Sequence, residues 1–421
     1  MKYLKILYVQ VLIGIILGIF VGWLFPSFSD IAKLIADTYI HLIMMVIAPV
    51  IFFTIVIGLS GAGEIRKMGR IGGKGLLYFE VVTLFALVIG LYVANFIKPG
   101  VGVSQEHLNS VLDFNAQPEA AMDWGQFISD IVPSNAIEAF AKGNIMQILF
   151  FGILFGLALT KIGKTGDLVF VFFDKINKVL FNILHMVVMV SPIGAFGGMA
   201  YSIGAFGFSS VALLGKLMLT FYITGALFVF VVLGLIARAY GFNLWKLMGY
   251  LKTEILIVWG TSSSEVVLPN LMEKLEKAGC SKQVVGVMVP AGYSFNLDGT
   301  CIYLSMATIF LAQVFNLHLT IVHELTIIGV LLITSHGAAG VTGSGFLVLT
   351  STLAALKIIP LEGLGLLIGV DRFMSEGRAI VNVIGNSLAS LVIAKSENAM
   401  DMEKYMRVVE RREAKISGPD G

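Results

Sequence analysis

Long apolar runs separated by short polar stretches recur along the whole 421-residue chain. Roughly 20 apolar residues cross a bilayer core. Runs of that length fall at about 5–25, 31–60, 74–97, 125–163 (broken), 166–200, 209–239, 283–316 and 361–395, and they predict eight spanning α-helices. Two stretches, 244–277 and 321–357, break the rhythm. Each has two apolar arms of about ten residues, too short to cross, around a small, polar centre. The centres are Thr261-Ser262-Ser263-Ser264-Glu265 and Ser335 through Gly345. Non-helical backbone at membrane depth is tolerated only where it is buried in protein or lines a cavity, so both stretches are expected to be re-entrant hairpins. The opening run to Phe25 is too long for a signal-peptide core and lacks a small-residue cleavage site; it is expected to be a retained first span.

Composition strengthens this picture. The chain is 57% hydrophobic and 13% charged, with a mean hydropathy of +0.89, against about 45–50% and 25% for soluble domains. So little charge cannot cover a water-facing surface, and the solvent for most of the chain must be lipid. A net charge of +2 gives no sign of a nucleic-acid partner. Cys280 and Cys301 form no disulfide framework, and the six histidines have no metal-ligand spacing. No nucleophile–base, zinc or phosphate-loop motif appears, so neither an enzyme, an organic cofactor nor a transition metal is expected.

Basic residues set the expected orientation. Lys2 and Lys5, then Arg66, Lys67, Arg70 and Lys74, then Lys161 and Lys164, and finally Arg238, Lys246, Lys252, Lys274, Lys277 and Lys282 fall on one side. The opposite loop at 98–124 is acidic, with Glu106, Asp113, Glu119 and Asp123. The positive-inside rule then puts both termini and the first hairpin tip in the cytoplasm of a multi-pass cell (inner) membrane protein. The second tip enters from outside. Such an inverted pair of interrupted segments points to the central site of an alternating-access transporter. The charged segment 396–421 is expected to be a solvated cytoplasmic tail, with residues 1–395 forming one membrane domain.

The candidate chemistry lies on three features. In the last run, Asp371, Ser375, Arg378, Asn382 and Asn386 fall on one stripe of an otherwise apolar helix at about 100° per residue. A charge at the bilayer centre costs about 2.5–3.5 kcal/mol on insertion scales, so Arg378 needs a partner. That partner is either a substrate carboxylate, which a guanidinium binds with two parallel hydrogen bonds, or a structural acid, Asp371 or Asp298. Arg372 and Glu376 lie off the stripe, where structural or surface roles are expected. The run Asn296-Leu297-Asp298-Gly299-Thr300 disfavours continuous helix. It would free carbonyls which, with the Asp298 carboxylate, make an oxygen cage for an alkali cation; the alternative is a kink with Asp298 paired to an arginine. The hairpin tips supply hydroxyls and helix N-termini suited to an anion, or small residues serving close packing.

These features, in this order, resemble the dicarboxylate/amino-acid:cation symporter family, which includes the glutamate transporters and the bacterial C4-dicarboxylate carriers. The resemblance covers nearly the whole chain. Its carriers are the serine-rich tip ending Leu268-Pro269, the run at 296–300, the glycine-rich tip at 335–345 and Asp371 through Asn386. It implies a homotrimer with an elevator mechanism. In each protomer a scaffold, approximately 1–72 and 120–205, would hold a mobile core, approximately 73–100 and 206–395. It also implies that Arg378, Asn382, Thr300, Ser263 and Ser264 contact substrate, with Val341 and Gly345 closing the second tip. Asp298, Asn296, Asn382 and the carbonyl of Gly292 would hold cations, joined by Asn386, Thr83 and Ser335.

The departures narrow the substrate. Amino-acid carriers of the family usually place an aspartate where this chain has Ser375, which cannot pair with a substrate ammonium. A dicarboxylate suits this site better, with Thr342 and Ser344 adding hydroxyls for its second carboxylate. Sodium-coupled members carry an aspartate at the Asn386 position, and a helix-3 hydroxyl position becomes Val82. Glu80, two residues earlier, is either a proton carrier or a partner in an ion pair. The expected function is import of succinate, fumarate and malate coupled to Na⁺, H⁺ or both. The rivals are an amino-acid symporter of the same fold and an anion channel.

Overall fold

A computed structural model describes residues 7–61, 70–102, 132–142, 145–206, 209–338, 343–356 and 358–410. Among these residues the chain is all-helical, apart from an isolated bridge between Cys280 and Met400. By length and composition, four helical stretches suffice to cross a membrane: Arg70–Ile97, Val211–Ala239, Lys282–Val314 and Leu364–Ser396. Two bent pairs raise that number to six: Val9–Leu24 with Pro26–Tyr39, at 117°, and Asp167–Met189 with Ser191–Tyr201, at 49°. Helices Ser29–Gly61 and Ile145–Ile162 lie at the remaining expected runs.

The continuous helix expected at 166–200 is broken at Val190. Pro192 is the physical reason. It has no N–H for the helical ladder and is well tolerated only in a first turn, so a new helix starts at Ser191. Of the broken element expected at 125–163, helices Ala136–Lys142 and Ile145–Ile162 are observed, and residues 125–131 lie outside the described residues.

Two groups of helices can be followed. In one, Leu7–Leu24 packs on Ser191–Phe206, which packs on Ser29–Gly61, which in turn meets Ile145–Ile162 and Asp167–Met189. In the other, Asp298–Val314 lies against Arg70–Ile97 and against Leu364–Ser396. The last helix also contacts Lys282–Phe295, Ser209–Leu227 and Lys252–Thr261, and it meets the first group through Ser191–Phe206. Leu364–Ser396 is thus the axis of the second group, and nearly all of its side chains are buried.

Both interrupted segments fold back on themselves. In the first, arms Lys252–Thr261 and Leu268–Lys277 are tied by Lys274, which pairs with buried Glu254 at 2.6 Å and donates to the Tyr250 carbonyl at 2.9 Å. Ser262 ends the first arm in a left-handed conformation, φ 53° and ψ 27°. In the second, arms Ile321–Thr334 and Ser344–Leu356 are joined by a buried contact between the Thr334 and Thr352 hydroxyls at 2.8 Å.

The segment after 396, expected to be a solvated tail, keeps Asp401, Glu403 and Arg407 exposed while packing one face against the protein. Asp401 caps a short helix, Met402–Val408, by accepting the Lys404 N–H. Tyr405 is fully buried, edge-on to Phe242. The Asp401 N–H donates to the Gly279 carbonyl at 2.9 Å, and the Lys404 ammonium donates to the Glu276 carbonyl at 3.1 Å. One aromatic side chain therefore docks a charged segment onto the end of the first hairpin. Residues from Arg411 onward lie outside the described residues.

Candidate functional site

The polar stripe of the last helix is real and buried. Ser375, Arg378, Asn382 and Asn386 are all inaccessible inside a 33-residue helix. A row of polar groups in this setting must be paired or hold a ligand. Arg378, only 4% exposed, donates from Nη1 to Asp371 Oδ1 at 2.8 Å and from Nη2 to the Ser375 hydroxyl. Its guanidinium carbon lies 4.1 Å from the centre of the Tyr303 ring. This stacking on an aromatic face favours a cation in a dry site. The structure thus supplies the acid partner left open by the sequence, and it is Asp371 rather than Asp298.

Two hairpin ends converge on this helix. Ser344 begins the second arm of the second hairpin, and a Cβ on the next residue, Gly345, would stand 2.9 Å from the Arg378 guanidinium carbon. A helix N-terminus, with its partial positive charge, is therefore packed against Arg378. Val341 and Thr342 lie outside the described residues. The first hairpin is held from two sides. Tyr293 donates its hydroxyl to the Ser264 carbonyl at 2.6 Å, and Trp259 donates its indole N–H to Glu376 Oε2 at 3.1 Å. Ser263 and Ser264 are both buried at the tip. Glu376, expected to be structural or at the surface, is structural: it is the acceptor that ties the arm leading into the tip to the last helix. Its off-stripe position hid this role, because the partner lies 117 residues away.

The break in the long helical pair is narrower than expected. Only Asn296 and Leu297 leave the helix, and Asp298, Gly299 and Thr300 form the first turn of the next one. The Gly299 N–H donates to Asn382 Oδ1 at 2.8 Å, and Asn382 Nδ2 reaches the Thr300 hydroxyl at 3.4 Å. Asn296 Nδ2 bridges Asp298 Oδ2, at 3.3 Å, and Asn386 Oδ1, at 3.0 Å. The Gly292 carbonyl accepts the Asn296 N–H at 2.9 Å, which leaves it one lone pair. Contact is so close that a Cβ on Gly299 would overlap the Arg378 carbonyl, and one on Gly385 would overlap the Asp298 carboxylate.

Three buried oxygens have no hydrogen-bond partner among the described residues: Asp298 Oδ1 and Asn296 Oδ1 at the break, and Thr83 Oγ1 on Arg70–Ile97, the helix packed against Asp298–Val314. A buried acceptor left unpaired costs about 1–3 kcal/mol. Unpaired carboxylate and carbonyl oxygens suit a hard cation such as Na⁺. Ser335, by contrast, turns its hydroxyl back to the Leu332 carbonyl at 3.2 Å. Glu80 meets His336 of the second hairpin, with Oε1 and Nε2 2.8 Å apart. Among the described residues no cluster of three or more His, Cys, Asp or Glu side chains is grouped to hold a metal ion.

Comparison with known proteins places the chain in a family. The model of the sodium:dicarboxylate symporter family matches residues 7–396. The C4-dicarboxylate transport protein of Bacillus subtilis is 55% identical over 412 residues, covering 97% of this chain and 98% of that protein. The protein of the same name from Deinococcus deserti is 51% identical over 422 aligned positions, covering 100% and 96%. That from Yersinia enterocolitica is 48% identical over 413, covering 97% and 96%. The chain belongs to the sodium:dicarboxylate symporter family, and it is a membrane transport protein rather than an enzyme.

Proposed function

We propose that this protein is a secondary active symporter that imports C4-dicarboxylates such as succinate, fumarate and malate, coupled to Na⁺, H⁺ or both. The observation that carries the substrate class is the buried Arg378 fork beside the Ser375 hydroxyl. A guanidinium there meets one carboxylate, and Ser375 offers no negative charge to an ammonium. The names of the relatives at about half identity support the same reading. Substrate contacts are assigned to Arg378, Asn382, Thr300, Ser263, Ser264, Ser375, Val341, Thr342, Ser344 and Gly345.

Coupling follows from charge. Moving one charge through 100 mV costs about 2.3 kcal/mol, so a dianion entering a negative-inside cell faces roughly twice that. Two monovalent cations offset the cost, and a third makes uptake electrogenic. The partnerless oxygens of Asp298, Asn296 and Thr83 support a cation site there, with Gly292, Asn382 and Asn386 completing it and Ser335 contributing after a rotamer change. Glu80 is the candidate proton carrier, in contact with His336.

In this reading eight spans and two re-entrant hairpins form each protomer of a homotrimer in the inner membrane, with both termini cytoplasmic. The helix group around Leu364–Ser396 would be the mobile elevator core and the group around Ser29–Gly61 the scaffold.

The test is uptake of labelled succinate into proteoliposomes. Fumarate and malate are expected to compete strongly, and glutamate and neutral amino acids weakly. Better competition by an amino acid would favour the amino-acid symporter, and conductance persisting without substrate or gradient would favour the anion channel. Uptake driven separately by a Na⁺ gradient and by a pH gradient identifies the coupling ion. Any pH-driven component is expected to fall at least about tenfold in Glu80→Gln, which keeps the shape of the side chain but cannot ionise. An unchanged pH-driven component in that variant would remove Glu80 from the proton path.

A further inference from the structure

Arg70–Ile97, the π-helical turn Phe228–Leu233 with the helix that continues it, and the end of Leu364–Ser396 enclose a groove of about 640 Å³ that none of the transport roles uses. Its walls are apolar: Leu77, Val81 and Phe85 on one side, Val232 and Leu235 on the other, Val392 and Ile393 at the back. Leu77, Phe85 and Leu235 are more than half exposed, so the groove opens sideways from the protein. Its polar lining is Lys74, Tyr78, Tyr240 and Ser396. Lys74, Tyr240 and Ser396 lie near the ends of their three helices, all on the side rich in basic residues.

The charge at that end is unbalanced. Arg70 and Lys74 share one carboxylate, Glu397, and the Lys395 ammonium is met by a neutral acceptor, the Tyr240 carbonyl, at 2.6 Å. Lys74, which lines the groove, and Arg70 thus share one acid, while Lys395 is held at the carbonyl of the groove-lining Tyr240. Basic pockets between spanning helices on the cytoplasmic side are suited to anionic lipid headgroups. The apolar wall adds stabilisation in proportion to the acyl surface it covers.

We propose that this groove is a binding site for an anionic phospholipid, with one acyl chain against Leu77, Val81 and Leu235 and the headgroup phosphate at Lys74 and Lys395. A zwitterionic lipid of equal chain length would fill the same wall without matching the charge.

The experiment is native mass spectrometry of the full-length protein after delipidation, with phosphatidylglycerol and phosphatidylcholine of identical chains offered in competition. Phosphatidylglycerol is expected to be retained at least about fivefold better per engaged cation. In Lys395→Gln this preference should shrink. In Leu235→Trp, which fills the groove from an exposed position and leaves every cation in place, retention of phosphatidylglycerol should be lost. Equal retention of the two lipids by the unaltered protein, or a phosphatidylglycerol preference that survives Leu235→Trp, would overturn the assignment. Succinate uptake by Leu235→Trp in the same lipid checks that the variant is folded.

Discussion

Replacing Arg378 by alanine is expected to reduce succinate uptake to the background of empty vesicles. The residue is buried, holds its fork in place through Asp371 and Ser375, and stacks on Tyr303. Removing it takes away the one cation on the polar stripe and leaves the Asp371 carboxylate without its partner. Breaking a fully buried pair costs about 3–5 kcal/mol, and this pair is partly buried, so loss of fold is a rival explanation for any loss of uptake. Arg378→Lys separates the two. It keeps a positive charge near Asp371 but cannot present two parallel donors to a carboxylate. We expect it to remain folded, by its elution and melting temperature, while uptake falls by about 10- to 100-fold, as loss of a charged hydrogen bond worth about 1.5–3 kcal/mol implies. Near-normal uptake by Arg378→Lys would mean that Arg378 serves the fold rather than the substrate.

The second large effect is expected from Asp298→Asn. Asp298 is fully buried, and among the described residues only one of its carboxylate oxygens has a hydrogen-bond partner. An ionised carboxylate in such a place is unfavourable unless a cation joins it. Asparagine has nearly the same shape without the charge. A ligand that binds only the folded state raises its stability with concentration, so Na⁺ is expected to raise the melting temperature of the unaltered protein. In Asp298→Asn that rise should vanish, and succinate uptake should need at least about tenfold more cation, one charged contact being worth about 1.5–3 kcal/mol. An equal Na⁺-induced rise in both proteins would place the cation elsewhere.

Periodicity made part of this site legible. Five polar residues spaced by helical turns on an apolar helix could be read directly, and four of them, Ser375, Arg378, Asn382 and Asn386, are buried, with Asp371 partly exposed at the end of the stripe. The short apolar arms likewise announced segments that fold back. What could not be read was pairing between distant segments. Nothing local to Glu376 signals Trp259, and nothing local to Arg378 signals the Tyr303 ring beneath it. The extent of unwinding at Asn296 was also hidden, because Asp298 and Gly299 are poor helix formers in the interior yet are accepted in a first turn. Tyr405 misled for a related reason. Average charge marked its segment as solvated, whereas one buried ring decides where the segment lies.

The contacts of Gly299 and Gly385 have a consequence for how such a carrier changes its diet. Gly299 meets backbone, the Arg378 carbonyl, which cannot be trimmed, and Gly385 meets the Asp298 carboxylate, leaving no room for a side chain at either. A larger residue at Gly299 would displace Arg378, and one at Gly385 would displace Asp298. New selectivity is therefore expected at positions outside that seam, and Ser375, whose hydroxyl meets Arg378, is such a position. The seam thus ties the place of Arg378 to that of Asp298.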